Sequence, residues 1–142
     1  MNWNFHHYAC ALALTGCLAW VTAAEPPAQQ ASAGSIAVAL YEGGGAAGKG
    51  VPRVLALLGA TTNVTVTRVS PQDIQAGALI RFQVVMFTGG SGSGQARALE
   101  GAGCKEVKEF VENGGGYIGI CAGSYLACSG FSWSLGLINA KT

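Results

Sequence analysis

From Ser35 onward, short apolar runs alternate with stretches of helical periodicity. Ile36-Ala37-Val38-Ala39-Leu40-Tyr41 is apolar at every position and is flanked by glycine-containing stretches. That continuity predicts a strand buried on both faces rather than one face of a half-exposed sheet. The glycine-rich segment from Gly43 to Gly50 leads into Val51 to Gly59, where a proline near the start and a glycine at the end punctuate a helix. Asn63 to Val69 alternates valine with threonine or arginine, the pattern of a second strand nearer the sheet edge. Ser70-Pro71-Gln72-Asp73 opens a short helix with a capping serine and proline at its first position.

Phe82 to Phe87 predicts a third strand, ending in Thr88-Gly89-Gly90, and Ser91-Gly92-Ser93-Gly94 reads as a mobile loop. Lys105 to Glu112 is a charged amphipathic helix with Val107, Phe110 and Val111 on its apolar stripe, stopped by Asn113 and Gly114. Cys104 falls in a glycine-flanked loop before it. Gly116 to Ile120 is a fourth strand that runs into Cys121, and Ala122 to Cys128 starts another helix. Strand and helix in this rhythm give an α/β domain with a parallel sheet covered by helices. Ligands of such sheets bind beyond the carboxyl ends of the strands. That rule gathers Glu42, Gly89-Gly90 and Cys121 on one rim.

The stretch before Ser35 is different in kind. An apolar run from Tyr8 to Ala24 ends in small residues and is followed by Glu25 and Pro26-Pro27, so residues 1–24 read as a signal peptide and 25–35 as a linker to a domain over 36–142. Export to the periplasm or the outside follows. Leu14-Thr15-Gly16-Cys17 also matches a lipobox, so a membrane-anchored lipoprotein modified at Cys17 is the alternative, and a retained leader would anchor the chain as well. A formal net charge of +1 over 142 residues, with no cluster of lysine and arginine, excludes an electrostatic nucleic-acid reader. Cleavage of the leader would leave Cys104, Cys121 and Cys128, an odd number, and no histidine, since His6 and His7 lie within it.

Gly119-Ile120-Cys121-Ala122-Gly123 carries the spacing of a nucleophile elbow, in which a strained strand-to-helix turn lifts one side chain above the sheet. Glycine is required on both sides because a Cβ would strike the neighbouring strand or helix. A thiol there sits near a helix N-terminus, whose partial positive charge favours thiolate. A small buried structural cysteine fits the same five residues. Gly43-Gly44-Gly45-Ala46-Ala47-Gly48-Lys49 matches the glycine-and-lysine core of a phosphate-binding loop, but Gly50 replaces the Ser or Thr that would hold Mg²⁺, and no Asp follows the third strand. Neither a metal nor a cofactor is expected.

Taken together, the glycine-rich first loop, Thr88-Gly89-Gly90 and Gly115-Gly116-Tyr117-Ile118-Gly119-Ile120-Cys121-Ala122-Gly123 resemble the class I glutamine amidotransferase-like superfamily. Within it, the chain is most similar to the domain found at the N-terminus of yeast-type biotin-protein ligases and in secreted bacterial relatives. The DJ-1/PfpI branch shares the Ile-Cys-Ala-Gly elbow and is the nearest competitor. The resemblance implies a flavodoxin-like parallel sheet with helices on both faces and Cys121 in the nucleophile position. It also implies N–H groups of Gly89, Gly90 and Ala122 facing an oxyanion and, from the DJ-1 branch, Glu42 hydrogen-bonded to the thiol.

Amidotransferases of this kind activate their cysteine with a histidine C-terminal to the elbow, and none follows Cys121 here. The ending Leu137 to Thr142 reads as mid-domain sequence, so the domain is expected to be C-terminally incomplete, prone to self-association and inactive as a hydrolase. The alternatives are a non-catalytic module that binds a small-molecule ligand and a redox-sensing thiol protein.

Overall fold

The computed structural model describes residues 34–141. The expected leader and Cys17, and all of the expected linker except its last two residues, lie outside the described residues. Four strands form one all-parallel sheet: β1 (Ile36–Tyr41), β2 (Val64–Val69), β3 (Val84–Phe87) and β4 (Gly116–Gly119), in the order β2-β1-β3-β4. This is the flavodoxin-like arrangement, in which the chain steps outward from β1 to β2 and then crosses back to build the other half. β2 is an edge strand, in keeping with its alternating pattern, and three of its six residues are exposed.

Helices cover both faces because β1 and β3 are apolar on both. Val38, Leu40 and Met86 point to one side and pack with Val51 and Val54 of α1 (Gly50–Gly59). Ala39, Tyr41, Val85 and Phe87 point to the other. There they meet Ile74 of α2 (Pro71–Gln75), Leu99 and Val107 of α3 (Gly92–Glu112), and Leu126 of α4 (Ala122–Ala127). On this second face the Phe87 ring stacks between Tyr41, at 4.7 Å, and Tyr117, at 5.5 Å. The Tyr41 hydroxyl donates to the Gly44 carbonyl at 2.8 Å, and burial pushes its acid up to about 12.

α2 starts with the predicted cap. The Ser70 side chain accepts from the Asp73 N–H at 3.1 Å, and the Asp73 carboxylate accepts from the Ser70 N–H at 2.8 Å. These Ser70 hydrogen bonds hold the Asp73 carboxyl below its ordinary range.

The region after β3 departs from the sequence expectation. Ser91 to Gly94 is not a mobile loop: Ser91 caps α3, accepting from the Gly94 N–H at 3.1 Å, and helix begins at Gly92. Cys104 lies within the same helix, half-buried, with its thiol 3.8 Å from the Ala96 carbonyl. The glycines here serve close packing. A Cβ on Gly92 would fall 2.8 Å from the Trp133 ring, and one on Gly94 would fall 3.0 Å from the Gly45 Cα. α3 is broken once, at Glu100, whose φ of 55° is left-handed. The Gln75 amide from α2 donates to the Leu99 carbonyl beside that break at 2.9 Å.

Phe87→Ala is expected to cost about 3–5 kcal/mol, because it opens a cavity between two tyrosine rings. Leu57→Ala, on a side chain 70% exposed, is expected to stay within about 0.5 kcal/mol. Urea denaturation of the two variants beside the parent chain measures both.

Candidate functional site

Pairing continues one residue past β4, where the Ile120 N–H donates to the Phe87 carbonyl at 2.9 Å. The next residue, Cys121, turns the chain sharply, with φ 54° and ψ −109°, and α4 begins at Ala122. A non-glycine residue at positive φ is strained and persists only where its surroundings enforce it. Here they do so through close backbone contacts. A Cβ on Gly119 would fall 2.6 Å from the Gly123 carbonyl, and one on Gly123 would lie inside contact distance of the Phe87 carbonyl oxygen. Both flanking glycines are therefore required sterically. Side chains lock the same turn, with the Ser124 hydroxyl donating to the Gly119 carbonyl at 2.8 Å and the Tyr117 hydroxyl to the Gly123 carbonyl at 2.7 Å. Burial pushes the Tyr117 phenol well above its ordinary range, so it stays a donor.

Cys121 is exposed, and its side chain lies over Gly89: a Cβ built on Gly89 would be 3.5 Å from the Cys121 Cβ and 3.8 Å from its Sγ. The Gly89-Gly90 loop is in turn fixed to the β1–α1 loop. The Ala47 N–H donates to the Gly89 carbonyl at 2.7 Å, and the Ser91 N–H donates to the Gly45 carbonyl at 2.8 Å. Gly90 holds a φ of 135°, and a side chain there would strike the Gly45 carbonyl. The N–H groups of Gly90 and Ala122 donate to no other described residue. Both residues line one cleft of about 260 Å³ together with Cys121. Its aromatic lining comes from Tyr125, Phe131 and Trp133.

The structure thus brings Cys121, Gly89, Gly90 and Ala122 together. Glu42 is placed apart. It is on the same rim, but its carboxylate pairs with Arg68 on the edge strand β2 at 3.4 Å, and β1 lies two strands from β4, a lateral separation of about 10 Å. In the loop that resembles a phosphate-binding loop, three of the amides from Gly43 to Gly50 are engaged within the protein. Ala46 donates to Gly43, Ala47 to Gly89 and Gly50 to Ala47.

Sequence reasoning missed two groups of residues. Thr88 and Gln95 are fully buried behind the rim, the Gln95 amide donating to the Thr88 carbonyl at 2.8 Å. The aromatic wall was the second omission, although Phe131-Ser132-Trp133 is the densest aromatic stretch of the domain. No group of three metal-ligating side chains exists among the described residues. No helix among them is long and apolar enough to cross a membrane.

Residues 36–141 match the family model described as biotin-protein ligase, N terminal. The chain belongs to the biotin-protein ligase N-terminal family. A segment of 51 residues is 37% identical to an uncharacterized protein of Chlamydia muridarum (strain MoPn / Nigg), covering 36% of this chain and 20% of that protein's length. In this biotin-protein ligase N-terminal domain the family match takes in all four strands and every residue of the cleft.

Two outcomes are expected at the turn. Alkylation with iodoacetamide at neutral pH, followed by peptide mass analysis, should modify Cys121 before Cys104, whose half-burial raises its thiol, and before the buried Cys128. Gly123→Ala should destabilise the domain by about 3 kcal/mol or more through overpacking, whereas Gly48→Ala, whose added Cβ meets nothing within 4 Å, should leave the melting temperature nearly unchanged.

Proposed function

We propose that this chain is an exported glutamine amidotransferase-like domain in which Cys121 accepts the acyl group of a small ligand. One observation carries the reading: an exposed thiol is held at positive φ by two sterically required glycines, in a cleft it shares with the unengaged Gly90 and Ala122 N–H groups. Strain at such a residue is typical of a nucleophile elbow. Donors in that position suit the oxyanion of a tetrahedral adduct. Export rests on the apolar segment from Tyr8 to Ala24.

In the reaction this site would support, Sγ bonds to the carbonyl carbon while the carbonyl π pair moves to oxygen. As the oxyanion collapses, the C–N bond breaks and ammonia leaves with the thiol's proton, giving a thioester. Water then releases the acid and regenerates the thiol. Both proton transfers need a base, and residues 34–141 contain no histidine. Loss of general-base assistance costs about 10²–10⁴-fold in rate. Glu42 pairs with Arg68 on β2, on the side of β1 away from β4, so the base is not assigned to it. Acyl acceptance is the step that residues 34–141 support by themselves, and it merges with a ligand-binding role for the same cleft.

The 142-residue chain is expected to release ammonia from glutamine no faster than buffer. With the acetyl thioester of N-acetylcysteamine, the acetyl group should move to Cys121, the cysteamine thiol leaving, and intact mass should show one acetyl that Cys121→Ala does not acquire. Ammonia release that is lost in Cys121→Ala would refute the absence of turnover. No acetylation at Cys121 would refute acyl acceptance.

A further inference from the structure

The aromatic lining of the cleft is packed within the chain itself. Phe131 stacks on Trp133 with ring centroids 4.6 Å apart and planes 10° from parallel, and Tyr125 meets Phe131 edge-on at 6.3 Å. The Trp133 ring is seated against the backbone of Gly92, where a Cβ could not fit. The loop that carries these rings is tied down by the Ser134 hydroxyl, which donates to the Phe131 carbonyl at 2.7 Å, and by the Leu135 N–H, which donates to the Leu126 carbonyl at 2.7 Å. Even so, Tyr125 remains 46% exposed and Phe131 38% exposed, an apolar surface left open beside the thiol. No charged side chain lines the cleft.

This composition is mismatched to free glutamine. The α-ammonium and α-carboxylate of glutamine would lose water without gaining an ionic partner, which is costly. A neutral flat ring loses nothing comparable and gains ring–ring contact. The cleft, at about 260 Å³, is smaller than the roughly 300–1,000 Å³ of most ligand sites, so it suits one ring and a short linker.

Resting on the acyl-acceptor reading of Cys121, we propose that the cleft selects an uncharged aromatic carbonyl compound. Its ring packs against Tyr125 and Phe131, and its electrophilic carbon lies at Sγ. Charged amino-acid amides are excluded. Tyr125, Phe131 and Trp133 are then specificity residues.

Three chloromethyl reagents test this on the full chain: 2-chloroacetamide, N-benzyl-2-chloroacetamide, and a glutamine analogue whose side-chain amide nitrogen is replaced by chloromethyl. In each case Sγ bonds to the chlorine-bearing carbon, chloride leaves and the thiol proton passes to buffer. Rates at Cys121 are read by peptide mass and divided by each reagent's rate with glutathione. The benzyl reagent is expected to react about 10-fold faster than chloroacetamide, with saturation, and the glutamine analogue no faster than chloroacetamide. In Tyr125→Ala/Phe131→Ala the benzyl-to-plain ratio should fall to near one. In Leu57→Ala, on the opposite face of the sheet, it should be unchanged. Equal normalised rates in the parent chain, preference for the glutamine analogue, or a ratio unaffected by the double variant would overturn the inference while leaving acyl acceptance standing. Cys121 reacting no faster than Cys104 or Cys128 with all three reagents would overturn acyl acceptance and this inference with it.

Discussion

The rim is organised by one close approach, that of the first turn of α4 to the end of β3. At Gly123 the backbone comes so near the Phe87 carbonyl that no side chain fits between them, and at Gly119 the strand comes equally near α4. With both contacts made, the residue between the glycines has no relaxed conformation available and takes φ 54°. The strain at Cys121 is therefore a product of helix–strand packing and not of the cysteine. It is offset by the aromatic column beneath, where Tyr41, Phe87 and Tyr117 stack across three neighbouring strands.

The Tyr117 hydroxyl joins these two layers. Its ring belongs to the core column and its oxygen reaches up to the Gly123 carbonyl, so the position of the turn is tied to the packing of the sheet. Behind the rim, side-chain amides satisfy two backbone carbonyls, while the Thr88 hydroxyl and the Gln95 amide oxygen are buried without a partner among the described residues. The Gln95 amide satisfies the Thr88 carbonyl at the point where β3 leaves the sheet, and Gln75 does the same for the Leu99 carbonyl where α3 breaks. A buried carbonyl without such a donor would be costly.

Much of the fold could be read from the chain because parallel strands are buried on both faces, and a continuous apolar run as short as Ile36 to Tyr41 between glycine-containing stretches suits little else. The Ser70 cap and the glycine-flanked turn at Cys121 were legible for a related reason: their chemistry is local. The start of α3 was not, since Gly92, Ser93 and Gly94 are weak helix formers whose placement depends on Gly45 and Trp133, both distant in sequence. The partner of Glu42 was equally hidden. It follows from β2 lying outside β1, with Leu40 beside Arg68 and Tyr41 beside Val69, and strand order is a property of the whole sheet. The aromatic wall lies in a segment without periodicity, shaped by backbone bonds to α4 such as that from Ile138 to Ala127.

The bridge between the two glycine loops has a kinetic meaning. In many glycine-rich rims a peptide plane can rotate, exchanging the N–H it presents to a ligand for a carbonyl, and ligand entry must wait for the correct orientation. Here the Gly89 carbonyl is already engaged by Ala47, and Ser91 is held by Gly45, on either side of Gly90. Rotation of either plane would break a hydrogen bond with no water-free substitute. The Gly90 N–H is therefore held in one orientation from both sides, so an oxygen that entered the cleft would meet it without a prior backbone rotation.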